Sequence, residues 1–174
     1  MHHEPGKIGH IVKSLVRDAS RNAIIVECVR RAYAKQRHIL VLSDFGVDKY
    51  LDLLRALLVK SGIPVSHMAY YTGESLKAEI TRAKSKEALV VLGTYGMASE
   101  STDVPHWDTL VLATPRANVM QSIGRILRTH PGKKQPIVFD IVDTDSHVLE
   151  NYAKARFKVY TSKEVNAEVL KIDI

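Results

Sequence analysis

An α/β fold is predicted for this 174-residue chain: an open parallel sheet of about five to six strands with helices on both faces. Three features predict it. Short, continuously apolar runs recur along the sequence, as strands covered on both faces require. Segments with helical spacing of apolar residues separate these runs. Strands and helices alternate, which implies parallel pairing through crossover connections.

In chain order, Ile8 to Gln36 reads as helical, in two pieces broken near Ser20, with Ile24, Ile25, Cys28, Val29 and Ala32 on one apolar face. Cys28 on that face reads as a core residue. The first strand is His38–Leu42. A helix over Asp48 to Ser61 follows, with Leu51, Leu54, Leu57 and Leu58 inward and Gly62 as its stop. Strands are expected at Val65–Tyr70, Ala88–Leu92, Thr109–Ala113 and Pro136–Ile141, with a weaker sixth at Phe157–Tyr160. Helices are expected at Glu74 to Lys84, Ala117 to Leu127 and His147 to Ala155. The chain divides into a helical lead-in, 1–36, and a main domain, 37–174, within one compact unit.

Composition narrows the function. Hydrophobic residues make up 45% and charged residues 25%, ordinary globular values. No apolar run approaches the ~20 residues that span a bilayer, and no secretory leader is visible at Met1, so an intracellular protein without a membrane partner is expected. The single cysteine excludes an internal disulfide and a cysteine-based zinc site. Net charge is +6, and the stretch 109–139 has no Asp or Glu but holds Arg116, Arg125, Arg128, Lys133 and Lys134. A localised basic surface points to phosphate-bearing partners, and a solvated basic face is the alternative.

Two segments carry the chemistry. In ANVMQSIGRILR, residues 117–128, helical spacing puts Val119, Met120, Ile123, Ile126 and Leu127 on one side. Gln121, Gly124, Arg125 and Arg128 form the opposite stripe, at i, i+3, i+4 and i+7. Paired guanidinium groups suit phosphate oxygens, because each fork is planar, permanently charged and able to bind bidentately. Glycine in a helix costs about 1 kcal/mol against alanine, which points to a close approach by another group. In GTYGMASESTDVP, residues 93–105, a loop follows a strand at its carboxyl end, where open α/β sheets bind ligands. Thr94 offers a hydroxyl to a phosphate, and Asp103 an acceptor to a ribose hydroxyl. A plain crossover loop, with Asp103-x-Pro105 starting a turn, is the other reading.

Together, in this order, these segments resemble motifs V and VI of superfamily 2 helicases. ILVLSD, residues 39–44, resembles motif IV, and Tyr70-Tyr71-Thr72-Gly73 resembles the segment after the next strand. The likeness covers residues 38–141, and Arg21-Asn22 and the wording of 114–128 are most similar to DNA-dependent helicases of phages and large DNA viruses, poxviruses included. The resemblance implies a second, carboxyl-terminal RecA-like domain, with ATP in a cleft against a first RecA-like domain and DNA or RNA running across both. It implies that Arg125 and Arg128 reach the γ-phosphate as catalytic groups. Gln121, Gly124, Asp103 and Glu100 would face the nucleotide and the domain interface. Thr94, Gly93, Ser43, Thr72, Gly73 and Arg116 would lie on the nucleic-acid track. Ser101 stands where that motif V usually has glycine.

No Gly-x-x-x-x-Gly-Lys-[Ser/Thr] loop and no Asp-Glu-x-[Asp/His] box occurs in the sequence. Those elements cradle the β- and γ-phosphates and hold magnesium. ATP and Mg2+ are therefore expected to be held by a first domain that this sequence lacks, and the chain alone is expected not to hydrolyse ATP. The alternatives are a non-catalytic RecA-like nucleic-acid-binding module and a small-molecule enzyme, the latter from a faint likeness of 137–144 to a phosphoribosyltransferase loop. Asp140, Asp143 and Asp145 read as a strand-end cap ahead of the helix at His147.

Overall fold

The computed structural model describes residues 5–100 and 103–172. Ser101, His2 and His3 lie outside the described residues. Two helices lead in: α1 (Pro5–Leu15), then α2 (Ala19–Ala34). The Asp18 side chain accepts the Arg21 N–H at 3.1 Å and starts α2. The strands are β1 (Ile39–Ser43), β2 (Met68–Tyr71), β3 (Val90–Thr94), β4 (Thr109–Leu112) and β5 (Ile137–Asp140). All are parallel, in the order β2-β3-β1-β4-β5. The sheet has five strands, as the apolar runs predict.

Alternation along the strands builds two cores. Leu40, Leu42, Ala69, Tyr71, Val91, Leu110 and Leu112 face one layer, formed by α4 (Lys77–Ala83), α5 (Tyr95–Ser99), α6 (Met120–Leu127) and α7 (His147–Tyr160). Ile39, Val41, Met68, Val90, Leu92 and Val111 face the other, formed by α2 and α3 (Asp52–Lys60). Cys28 of α2 is buried, and burial pushes its thiol up to about 11, so it packs as a small apolar residue. Gly62, at φ 99°, adopts the left-handed conformation that ends α3.

The elements differ from expectation at their ends. Phe157–Tyr160 is the last stretch of α7, not a strand. Its apolar residues read equally well as either, but Arg156 and Tyr160 both reach the same Asp140 oxygen, which one helical turn (about 6 Å) allows and four strand residues (about 13 Å) do not. The helix expected from Asp48 begins with a π-turn at Val47–Leu51 and is α-helical only from Asp52. Val65–His67 is a short 3-10 turn ahead of β2. The expected cap at Asp140, Asp143 and Asp145 is not the cap. Ser146 caps α7 by accepting the Leu149 N–H at 3.3 Å, while Asp140 and Asp143 receive buried arginines.

Candidate interdomain and nucleic-acid site

Helix α6 presents the arginine segment. Val119, Ile123 and Ile126 are buried against the sheet, and Gln121 and Gly124 are exposed. A Cβ built on Gly124 meets nothing within 4 Å, so glycine keeps this stretch of surface low without any packing need from within the chain. The helix stops one residue short of the end of the stripe, which runs from Gln121 to Arg128. It ends at Leu127, and Arg128 leaves it with φ −59° and ψ 134°.

Both arginines nonetheless converge on the loop after β3. Residues 95–99 form the short α5, where the sequence suggested only a loop; Thr94 caps it by accepting the Met97 N–H at 3.4 Å. The carbonyls at the end of α5 lack helical partners. Arg125 covers them, donating from Nε to Ala98 O at 2.8 Å and from Nη2 to Ser99 O at 3.0 Å and Glu100 O at 2.6 Å. A cation at a helix carboxyl end also complements the helix dipole. Arg128 donates from Nη1 to Asp103 Oδ1 at 2.5 Å. Arg125, Arg128, Asp103 and the backbone of Glu100 thus form one cluster, next to Gln121 and Gly124. The Glu100 side chain itself is exposed and outside these contacts.

The remaining candidates line the carboxyl edge of the sheet, one strand after another. Ser43 is buried and its Oγ accepts the Phe45 N–H at 2.9 Å. Thr72 is buried and bonded to Ser75, with Oγ1 to Oγ at 3.0 Å. A Cβ on Gly93 would meet Tyr71 O at 3.0 Å, so that glycine answers to strand packing. These three offer no exposed side-chain group. Gly73 and Arg116 are exposed and Thr94 is half-buried.

Arg116 has neighbours that the sequence did not single out. Its Nε donates to Asp44 Oδ1 at 3.0 Å, and its guanidinium carbon lies 4.6 Å from the centre of the Tyr95 ring. Beneath it, buried Arg156 donates from Nε to Asp140 Oδ2 at 2.8 Å and from Nη1 to Arg116 O at 3.0 Å. Burial opposes the charge on Arg156; the hydrogen bond and charge of Asp140 overcome it and leave its pKa raised. Arg21 of α2 clasps Asp143 through Nε at 2.7 Å and Nη2 at 3.0 Å, and donates from Nη1 to Ala113 O at 2.6 Å. The sequence singled out Arg21, Arg116 and the aspartates at and just after the end of β5, but not their pairing.

The basic window does not form one patch. Lys134 donates to Lys35 O and Gln36 O, at the end of α2 just before β1, and so lies at the amino edge of the sheet. Lys133 donates to Arg128 O at 2.6 Å. Arg116 lies at the opposite, carboxyl edge. Sequence proximity was the signal, and the β4–β5 crossover disperses it.

No protein-family model matches the sequence. The chain is 31% identical over 148 residues to an Acanthamoeba polyphaga mimivirus protein named as an ATP-dependent RNA helicase, covering 85% of this chain and 28% of the relative. It is 29% identical over 170 residues to a protein of African swine fever virus (strain Badajoz 1971 Vero-adapted) named likewise, covering 87% of this chain and 32% of that one. The chain therefore spans about a third or less of the relatives it matches. Among solved structures, T4 UvsW matches with TM-score 0.69 at 21% identity, over 92% of this chain and 36% of that chain. The helicase MrfA, solved with DNA and AMPPNP, matches with TM-score 0.61 at 19% identity, over 80% of this chain and 20% of that one. The fold is the RecA-like α/β fold that these solved structures share. No described helix is long and apolar enough to cross a membrane.

Proposed function

We infer that this RecA-like domain, carrying superfamily 2 motifs IV, V and VI and related in sequence to viral ATP-dependent helicases, is the carboxyl-terminal half of such an enzyme. It works against a first RecA-like domain, with residues 37–174 as the functional unit and 1–36 as its helical lead-in. One observation carries the reading: Arg125 and Arg128 come to the surface together over the motif V loop, beside the exposed Gln121 and Gly124.

ATP and Mg2+ would be held mainly by the first domain, which supplies the phosphate cradle and the metal's neutralising charge. This chain's residues do the rest. In the resting arrangement the described partners are neutral carbonyls for Arg125 and the well-exposed Asp103 carboxylate for Arg128. Both are weak competitors for a multiply charged γ-phosphoryl group in a closed cleft. On closure the two forks exchange these partners for phosphate oxygens, and Gly124 lets the opposing surface approach. Loss of the γ-phosphoryl group removes that attraction, and the arginines return to the loop. The same loop begins at Thr94 on the sheet edge, so the exchange couples the nucleotide to a DNA or RNA strand lying there.

The test is Arg128→Ala in a protein that carries both RecA-like domains. Nucleic-acid binding is expected to persist while ATP hydrolysis falls on the order of 10³-fold or more. Unchanged hydrolysis would overturn the assignment and leave a non-catalytic binding module.

A further inference from the structure

We propose that Arg116 is a preset phosphate-binding fork and that Asp44 and Tyr95 are the residues that aim it; the proposal rests on reading the carboxyl edge of the sheet as a track for phosphate-bearing strands. Arg116 is fixed at three points. Its carbonyl accepts Arg156 Nη1 at 3.0 Å, its Nε donates to Asp44 Oδ1 at 3.0 Å, and Tyr95 backs its plane at 4.6 Å. The supports are themselves tied down. Tyr95 is buried and donates its hydroxyl to Thr114 O at 2.7 Å. Asp44 Oδ2 accepts the Thr114 hydroxyl at 2.9 Å, and the Asp44 N–H donates back to Thr114 Oγ1 at 2.8 Å.

What remains unused is informative. Arg21 grips Asp143 with Nε and Nη2 together, as a buried ion pair does. Arg116 gives Asp44 only Nε, and its Nη1 and Nη2 have no partner among the described residues, on a side chain 45% exposed. Two parallel N–H groups on a rigid, outward edge match two non-bridging oxygens of a phosphate. The fork follows β4, next to β1, whose last residue Ser43 is in register with Thr94 of β3. Tyr95 also opens α5, so the platform under Arg116 is continuous with the loop that Arg125 and Arg128 grip.

Asp44 gives the proposal its distinguishing sign. A carboxylate beside a phosphate site repels the ligand, so deleting it should strengthen binding unless its task is to orient the arginine. Binding of labelled single-stranded oligo-dT and oligo-rU to this chain, and separately of ATP, is measured by fluorescence anisotropy over a salt series. Arg116→Ala is expected to weaken oligonucleotide binding about tenfold at low salt and to lower the salt slope by about one. Arg116→Lys, which leaves the Asp44–Thr114 pair intact, is expected to keep the slope and lose affinity. Asp44→Ala is expected to weaken binding despite the lost negative charge, and Asp44→Asn, which keeps an acceptor for Nε, to restore it.

Dependence of ATP rather than oligonucleotide on Arg116 would overturn the proposal, because it assigns the fork to a nucleotide phosphate and removes this edge from the track. Wild-type binding unaffected by Arg116→Ala, or tighter binding by Asp44→Ala with an unchanged melting temperature, would overturn the proposal. So would a wild-type chain that binds neither ligand. None of these outcomes bears on the Arg128 hydrolysis test, so the two readings fail separately.

Discussion

The arginines of the interior and the arginines of the surface share a chemistry and are used in opposite ways. Arg21 and Arg156 are buried, each holding a carboxylate and a backbone carbonyl, and together they tie α2 and α7 to the ends of β4 and β5. Among the described residues, Arg125 holds loop carbonyls and Arg128 an exposed carboxylate, at the rim of the molecule. A buried charge stripped of its partner has no water to turn to, so the interior pairs are fixed. A rim arginine can exchange one set of oxygens for another at little cost, which is the property a nucleotide-sensing group needs. Burial, rather than residue type, separates the fixed clamps from the arginines proposed as fingers.

The largest effect expected from that contrast is on stability. Arg21→Ala leaves the Asp143 carboxylate buried and unpaired and Ala113 O without its donor. Such a change typically costs about 3–5 kcal/mol, or roughly 10 °C in melting temperature for a domain of this size. Arg128→Ala, by contrast, should cost at most about 1 kcal/mol, as exposed pairs do. Calorimetry on the two variants checks this. Equal losses would erase the distinction between clamp and finger.

The same contrast explains what could be read from the sequence. Strand interiors such as Leu40–Leu42 and Val90–Leu92 were legible because burial on both faces leaves a continuous apolar run. The stripe of α6 was legible because its apolar face has helical spacing. Tertiary partners were not: nothing local links Arg21 to Asp143, so those aspartates read as a helix cap. Phe157–Tyr160 read as a strand because four residues are too few to separate a period of 2 from one of 3.6. Residues 95–99 read as loop because glycine and serine hid a turn that Thr94 caps and Arg125 closes from another element. The glycine of the α6 stripe pointed to an outside surface, whereas Gly93 in the same motif pair answers to strand packing.

Those two glycines sharpen the comparison further. Gly93→Ala pushes a Cβ against Tyr71 O, a backbone atom 3.0 Å away in the next strand, and overpacking of this kind costs about 1–3 kcal/mol. Gly124→Ala meets open space, and better helix propensity should stabilise the chain by up to about 1 kcal/mol. Urea unfolding of both should therefore give shifts of opposite sign. In a protein with both RecA-like domains, Gly124→Ala should lower ATP hydrolysis even as it raises stability. A stabilised variant with undiminished hydrolysis would mean that no opposing surface comes close to this stretch of α6.

The smallest effect concerns a half-buried base that has no counter-charge. His106 packs edge-on to His38, with ring centres 4.8 Å apart, and its Nε2 has no hydrogen-bond partner among the described residues. Burial first, then the neighbouring His38, holds its pKa down to about 4; a hydrogen bond with the Ser85 backbone opposes this, and Lys86 and His130 add smaller depressions. Among the described residues no carboxylate faces it as Asp143 faces Arg21, so it avoids the charge that Arg21 keeps. The unfolded chain takes up this proton as pH drops through about 6.5, and the native state does so only near 4. Between those values the unfolded state binds more protons, so stability must fall as pH is lowered. Carboxylates add their own acid-side losses, and His106→Gln leaves those in place while removing the histidine's share. Urea unfolding at a series of pH values should show a shallower decline for His106→Gln than for the wild type across that window. Parallel curves would show that the ring accepts its proton in the folded protein as readily as in water, and that half-burial without a counter-charge imposes nothing at this edge of the sheet.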